Sequence, residues 1–240
     1  MNLIKTLLSL IFPLECRICK KTLEAGNLTY ICPECFTRIR FIKEPYCLKC
    51  GRPLRPFEDR ICKNCQKEKR YFKKICSMSL YQGVMREAIL LLKYQKVKAL
   101  ISPLGKLLLK YCQENLKIND FDLVLPVPLY RSKRKEREFN QAEVFARIID
   151  RHYSLPLSHE NLLRIRDTRT MSGLNPEERR RNVKGAFSVK RQEEVKNKRI
   201  LLIDDICTTG ATVDECSKVL LTAGVKEVTV LTLARTPSKI

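Results

Sequence analysis

The apolar positions of this chain fall into regular periods only beyond about residue 74. From there Val84, Ala88, Leu91 and Leu92 recur at helical spacing. Leu104, Leu107, Leu108 and Tyr111 do the same after Ser102-Pro103, which reads as a helix cap followed by a first-turn proline. Asp122 to Leu125 reads as a short buried strand. Asn140 with Glu143 has the form of a capping box, and Ala142, Phe145, Ala146 and Ile149 give the helix behind it one apolar face. Strand-like runs follow near residues 161–164, 186–189, 199–203 and 227–233. Val213, Cys216, Leu220 and Ala223 stripe a last helix that Gly224 ends. Strands alternating with helices predict an α/β domain built on a mainly parallel sheet with helices on both faces. A polar linker near residues 67–74 separates this domain, residues 73–240, from a small module, residues 1–72.

The first fourteen residues carry the one other apolar run. Lys5 precedes Leu7, Leu8, Leu10, Ile11 and Phe12, but the run is short, is broken by Ser9 and stops at Pro13. It lacks a small-residue cleavage site, and no stretch approaches the ~20 apolar residues of a membrane span. The pattern predicts a short helix over residues 1–14 packed on the body of a cytoplasmic protein. Contact of that helix with the inner face of the membrane is the weaker option.

Twelve cysteines change the picture of the small module. Eight of them form four Cys-x2-Cys pairs: Cys16/Cys19, Cys32/Cys35, Cys47/Cys50 and Cys62/Cys65. Two residues between thiolates aim both sulfurs at one point, and two such knuckles complete a tetrahedral zinc site. Two structural zinc ions are expected, with sequential pairing of knuckles favoured over crossed pairing by the spacing. Four thiolates leave no open coordination position, so the metals hold the fold and do no chemistry. A disulfide framework is the alternative, and it requires an oxidising compartment. Cys76, Cys112 and Cys216 read as small buried residues. Cys207 is a candidate reactive thiol, although a tolerated small side chain is the simpler reading.

The formal charge is +21. Each four-thiolate zinc site carries −2, which leaves the loaded protein near +17, still strongly basic. Residues 1–75 hold 17 Lys and Arg against 7 Asp and Glu, and basic clusters continue at residues 131–137, 164–169 and 179–184. Such a balance attracts nucleic acid, anionic lipid or polyphosphate. Aromatic residues are sparse and Trp is absent, so contact with the nucleic-acid backbone is expected rather than extensive base stacking.

Residues 201–212 read Leu-Leu-Ile-Asp-Asp-Ile-Cys-Thr-Thr-Gly-Ala-Thr. An apolar strand buried on both faces delivers Asp204 and Asp205 to its carboxyl end, where open α/β sheets bind ligands. Thr208, Thr209, Gly210, Ala211 and Thr212 then place hydroxyls and free N–H groups at a helix start, which is an anion cradle. Carboxylates that accept from vicinal hydroxyls, beside a cradle for a 5′-phosphate, suit a sugar phosphate.

This run resembles the phosphoribosyl pyrophosphate (PRPP) motif of type I phosphoribosyltransferases. With eight paired cysteines ahead of it, the chain as a whole resembles the ComF family, associated with bacterial natural competence. Pro126-Val127-Pro128, the segment Arg137-Glu138-Phe139-Asn140-Gln141, the run from Arg179 through Phe187, and Leu92-Lys93-Tyr94 match further family elements. Glu138 stands where the family carries glycine, and Met171 where Thr-x-x-Gln after Thr168 would carry glutamine. The resemblance implies PRPP or a related ribose phosphate as ligand, Mg²⁺ bound with it, and Asp204 and Asp205 on the ribose hydroxyls as the catalytic pair. It implies pyrophosphate contacts from Arg131, Lys133 and Arg134 after Pro128, and from Arg166 in a mobile loop. It also implies single-stranded DNA and proteins of the competence machinery as partners. Three functions stay open: a DNA-handling protein that binds PRPP, an active Mg²⁺-dependent phosphoribosyltransferase with an unknown base or amine acceptor, and a purely structural zinc adaptor.

Overall fold

The computed structural model describes residues 14–24, 26–169 and 173–237 of the chain. The helix expected at the amino terminus and Met171 lie outside the described residues, apart from Leu14. Four parallel strands form the central sheet: β1 (Lys74–Leu80), β2 (Leu123–Pro126), β5 (Arg199–Cys207) and β6 (Glu227–Arg235). Their order is β1-β6-β5-β2. The short strands β3 (Leu162–Arg164) and β4 (Phe187–Val189) pair antiparallel with each other, apart from the main sheet.

Both faces of the sheet are covered, as the unbroken apolar run Ile200–Ile203 requires. On one face α3 (Gly83–Tyr94), α4 (Ile101–Asn115) and α6 (Gln141–Tyr153) bury Leu91, Leu104, Phe145 and Ile149 against Val124, Leu201, Ile203 and Leu231. On the other, α8 (Ala211–Thr222) packs Val213, Cys216 and Leu220 on Ile200, Leu202 and Val230, with Phe187 of β4 beside them. Two short basic helices, α5 (Arg131–Arg137) and α7 (Pro176–Val183), complete the domain.

Some local expectations shift. Helix α4 follows directly on a single 3₁₀ turn, so its start at Ile101 has no side-chain cap and Ser102 lies inside the first turn. Asn140 does cap α6, accepting from the Ala142 N–H at 3.1 Å, but Glu143 turns to Arg134 and Arg147 instead of completing the box. The full capping box forms at Asn175 and Glu178, ahead of α7. Strand β5 also runs four residues further than its apolar stretch, so the acidic pair lies inside the strand.

The small module folds around two cysteine clusters. Helices α1 (Pro33–Phe36) and α2 (Lys63–Lys67) each begin at the second knuckle of a cluster. The module is joined to the sheet through its backbone. The Ile42 N–H donates to the Met78 carbonyl at 3.0 Å and the Leu80 N–H to the Arg40 carbonyl at 2.9 Å, which adds a short antiparallel rung to the edge of β1. The Ile75 N–H donates to the Lys49 carbonyl at 2.9 Å. Gly51 lies so close that a Cβ there would stand 2.5 Å from the Ile75 oxygen.

Candidate ribose-phosphate site and metal centres

The eight paired cysteines gather in sequence order. Cys16, Cys19, Cys32 and Cys35 form one cluster, Cys47, Cys50, Cys62 and Cys65 the other, with the four sulfurs of each within 4.8 Å of one another. The Sγ atoms of Cys19 and Cys32 are 3.8 Å apart, as are those of Cys50 and Cys62. That is about the edge of a tetrahedron with Zn–S near 2.3 Å, and almost twice the ~2.05 Å of a disulfide. Backbone N–H groups point at the sulfurs: Cys32 to Cys16 at 3.4 Å, Cys62 to Cys47 at 3.3 Å. Sulfurs that accept N–H bonds suit the thiolate state. The donor set therefore fits two structural zinc ions.

At the carboxyl end of the sheet, β5 presents the acidic pair, and strand alternation sends the two side chains to opposite faces. Asp205 meets Lys93 from α3, Nζ to Oδ2 2.6 Å, with both side chains nearly buried. Asp204 is in no ion pair among the described residues; its Oδ1 accepts from the Asp205 N–H at 2.9 Å. Burial, then the neighbouring Asp205, pushes the Asp204 carboxyl up to about 7, against the pull of Lys93 and Arg164. Arg164 reaches this region from β3, mostly buried, with its guanidinium 5.4 Å from the Phe187 ring centre.

Beyond Cys207 the chain turns through Thr208 and Thr209 into Gly210, whose φ of 81° is the left-handed conformation that glycine tolerates best. Gly210 is the N-cap of α8, and a Cβ there would meet Ile75 at 3.5 Å and Phe72 and Cys207 at 3.9 Å. Thr208, Thr209 and Thr212 stay partly exposed around the helix start, while Gly210 and Ala211 are buried. A twelve-residue helix, a glycine cap without a side chain, and three hydroxyls make an anion-binding end.

The basic residues fall into two groups. Strand β2 is the neighbour of β5, so α5 begins beside the acidic pair. There Arg131 is exposed, Lys133 pairs with Glu136 at 2.9 Å, and Arg134 pairs with Glu143 at 3.3 Å. Arg166 instead donates to the carbonyls of Lys184 at 2.7 Å and Asn182 at 3.1 Å, which straps two loop segments together. Glu138 takes the left-handed turn at φ 67° despite its side chain, and its carboxylate pairs with Lys96 and Lys98 beyond α3. Cys207 is buried, and burial pushes its thiol above the ordinary value, so it lacks the character of a nucleophile. A cleft of about 390 Å³ lined by Leu157, His159, Arg191 and Glu194 opens at the other end of the sheet and takes no part in this site.

Magnesium needs several oxygens in near-octahedral array and keeps part of its water. With Asp205 held by Lys93, the pair offers one unpaired carboxylate. That set fits an ion that arrives with a polyphosphate rather than one caged by protein. Sequence reading assigned no role to Lys93 and took Arg164 only as part of a basic cluster at residues 164–169. The Leu92-Lys93-Tyr94 match is the signal that points to Lys93.

Comparison with known proteins agrees with these features. A double zinc ribbon domain matches residues 7–77 and a phosphoribosyl transferase domain matches residues 142–240. Competence protein F of Haemophilus influenzae is 30% identical over 228 residues, covering 93% of this chain and 98% of that one. The DNA utilization protein YhgH of Escherichia coli is 28% identical, covering 92% and 96%. Competence protein ComFC of Bacillus subtilis is 25% identical, covering 81% and 79%. Among solved structures, a purine phosphoribosyltransferase from Pyrococcus horikoshii overlaps 57% of this chain and 83% of its own, at 14% identity and a TM-score of 0.35. Among the described residues no helix is long and apolar enough to cross a membrane. With two four-cysteine clusters ahead of a parallel-sheet phosphoribosyltransferase domain, and a relative of that identity along nearly its whole length, the chain belongs to the ComF family.

Proposed function

We propose that the chain binds PRPP, or a related ribose phosphate, at the carboxyl end of β5, and that it handles single-stranded DNA during uptake. The observation that carries the ligand is the junction of Asp204 and Asp205 with the glycine-capped start of α8. Asp204 and the Lys93-held Asp205 accept from the ribose hydroxyls, and residues 208–212 take the 5′-phosphate. Arg131, Lys133 and Arg134 extend from α5 toward a pyrophosphate, whereas Arg166 reaches it only by releasing two carbonyls. Bound Mg²⁺ supplies charge neutralisation on the pyrophosphate. DNA handling rests on the basic charge and on the competence and DNA-utilization names of the relatives. The division at residues 72 and 73, a cytoplasmic setting, and contact with the inner face of the membrane or with competence-machinery proteins belong to the same proposal.

Calorimetry with Mg²⁺-PRPP on zinc-loaded protein tests the ligand. The Asp204→Asn/Asp205→Asn variant is expected to lose binding while keeping its zinc, and unchanged affinity overturns the assignment. A second reading, an active phosphoribosyltransferase, is favoured by Asp204, a carboxylate outside any ion pair among the described residues and beside the expected ribose. As pyrophosphate departs, C1′ gains oxocarbenium character, and catalysis by this chain is positioning and charge stabilisation. Release of pyrophosphate from Mg²⁺-PRPP with a panel of bases and amines decides between the two readings.

A further inference from the structure

Arg235 closes β6, next to the end of β5, and its side chain is only 6% exposed. Among the described residues no carboxylate lies within ion-pair distance of it. Its Nη1 instead donates to the Cys50 carbonyl at 2.7 Å and to the Cys207 Sγ at 3.1 Å, and its Nε is buried without a partner. A buried guanidinium without a counter-charge is costly. The nearby source of negative charge is the second cysteine cluster, which carries −2 when four thiolates hold one Zn²⁺.

The same cluster touches the other supports of the phosphate turn. A Cβ at Gly210 would meet Ile75 at 3.5 Å and Cys207 and Phe72 at 3.9 Å, so these three side chains lie beneath the turn. Arg235 holds Cys207. The Lys49 carbonyl, inside the Cys47/Cys50 knuckle, accepts from the Ile75 N–H at 2.9 Å, and the Lys49 Nζ lies 5.7 Å from the Phe72 ring centre. Ile75, Phe72 and Cys207 are thus each tied, directly or through Arg235, to the first knuckle of the second cluster. None of the three atoms nearest the place of a Gly210 Cβ belongs to the first cluster, where the Arg38 guanidinium donates to the Cys35 Sγ at 2.9 Å.

We infer that Arg235 is the counter-ion of the second zinc site and the positioning residue that ties this site to the phosphate turn, so that ribose-phosphate binding depends on the second zinc and not on the first. The inference deepens the proposed ligand reading and rests on it for its second half. The first half stands on the metal alone.

The test uses zinc-loaded full-length protein and its Arg235→Met and Arg235→Lys variants. A chelator is added, freed cysteines are alkylated, and the labelled peptides are mapped over time. In Arg235→Met, label is expected on Cys47, Cys50, Cys62 and Cys65 roughly tenfold sooner than in the parent, as for other outer-shell partners of metal sites, with no change at Cys16, Cys19, Cys32 and Cys35. Arg235→Lys keeps the charge and is expected to restore much of the delay; it carries the comparison if Arg235→Met does not fold. Equal labelling rates in parent and variants overturn the counter-ion. Mg²⁺-PRPP affinity is read on the same samples, and is expected to fall about tenfold with Arg235→Met. A faster second-site release with unchanged affinity overturns the tie to the turn. Absence of binding by the parent protein overturns the ligand reading instead, and leaves the metal result to stand by itself.

Discussion

Replacing Lys93 by methionine isolates the charge pair on which the acidic site is built. At 2.6 Å the gross attraction between Lys93 and Asp205 is large, about 6 kcal/mol at an effective dielectric of 20. Burying both ions offsets most of it, so the intact pair adds little net stability. Removing one partner is different. The side chains are 11% and 12% exposed, so Lys93→Met strands a carboxylate out of water beside a second one, a change that costs about 3 kcal/mol. For a chain of this size that lowers Tm by about 6–12 °C. Asp205→Asn strands the ammonium instead, and the double variant strands neither, so the two losses fall short of adding by about 2–3 kcal/mol. The assay is urea unfolding of the four proteins at fixed zinc, assembled as a double-mutant cycle. A coupling below about 0.5 kcal/mol would mean the pair is solvated, as exposed pairs are, and the reasoning would fail.

Gly51→Ala sets a Cβ 2.5 Å from the Ile75 oxygen at a φ of +69°; the variant is expected to lose about 2 kcal/mol or more and to exchange the Ile75 amide faster, whereas wild-type exchange would refute the close docking. Asp122 is held down at about 2 by the Arg199 side chain, helped by the Arg199 N–H. A depressed carboxyl contributes fully above its unfolded value of 3.8 and loses its contribution as pH falls through about 2. Because the pair is about a third exposed, the contribution is under about 1 kcal/mol; Asp122→Asn should flatten that part of the acid unfolding profile, and an unchanged profile would exclude the pair as its cause. Single-stranded DNA affinity, read by fluorescence anisotropy, should drop steeply with salt and vary little with sequence; a flat salt response would remove the electrostatic argument.

Features fixed by local chemistry were legible in the sequence. A thiolate knuckle needs its two-residue spacing, and a tight turn into a helix needs small residues and a glycine, so the cysteine clusters and the strand, turn and helix start of residues 201–212 could be read without a structure. Strand β1 was hidden because it reads Lys-Ile-Cys-Ser-Met-Ser-Leu, with polar residues where a strand of a covered parallel sheet should be apolar. Its partners explain them: the Thr232 hydroxyl donates to Ser77 at 2.8 Å, and the Ser79 hydroxyl to the Leu233 carbonyl at 2.8 Å. Lys93 and Arg235 were silent for the same reason. Their meaning lies in Asp205 and Cys50, which only the folded sheet brings beside them.

Strand β6 lies between β1 and β5 although it follows both of them in sequence. The middle of the sheet is therefore empty until residues 227–235 have been made and have folded in. Before then β1 and β5 have no common neighbour, Arg235 is missing from beneath the turn, and the nascent chain exposes two unpaired strand edges. Insertion of β6 separates a chain prone to aggregate from one whose sheet is complete.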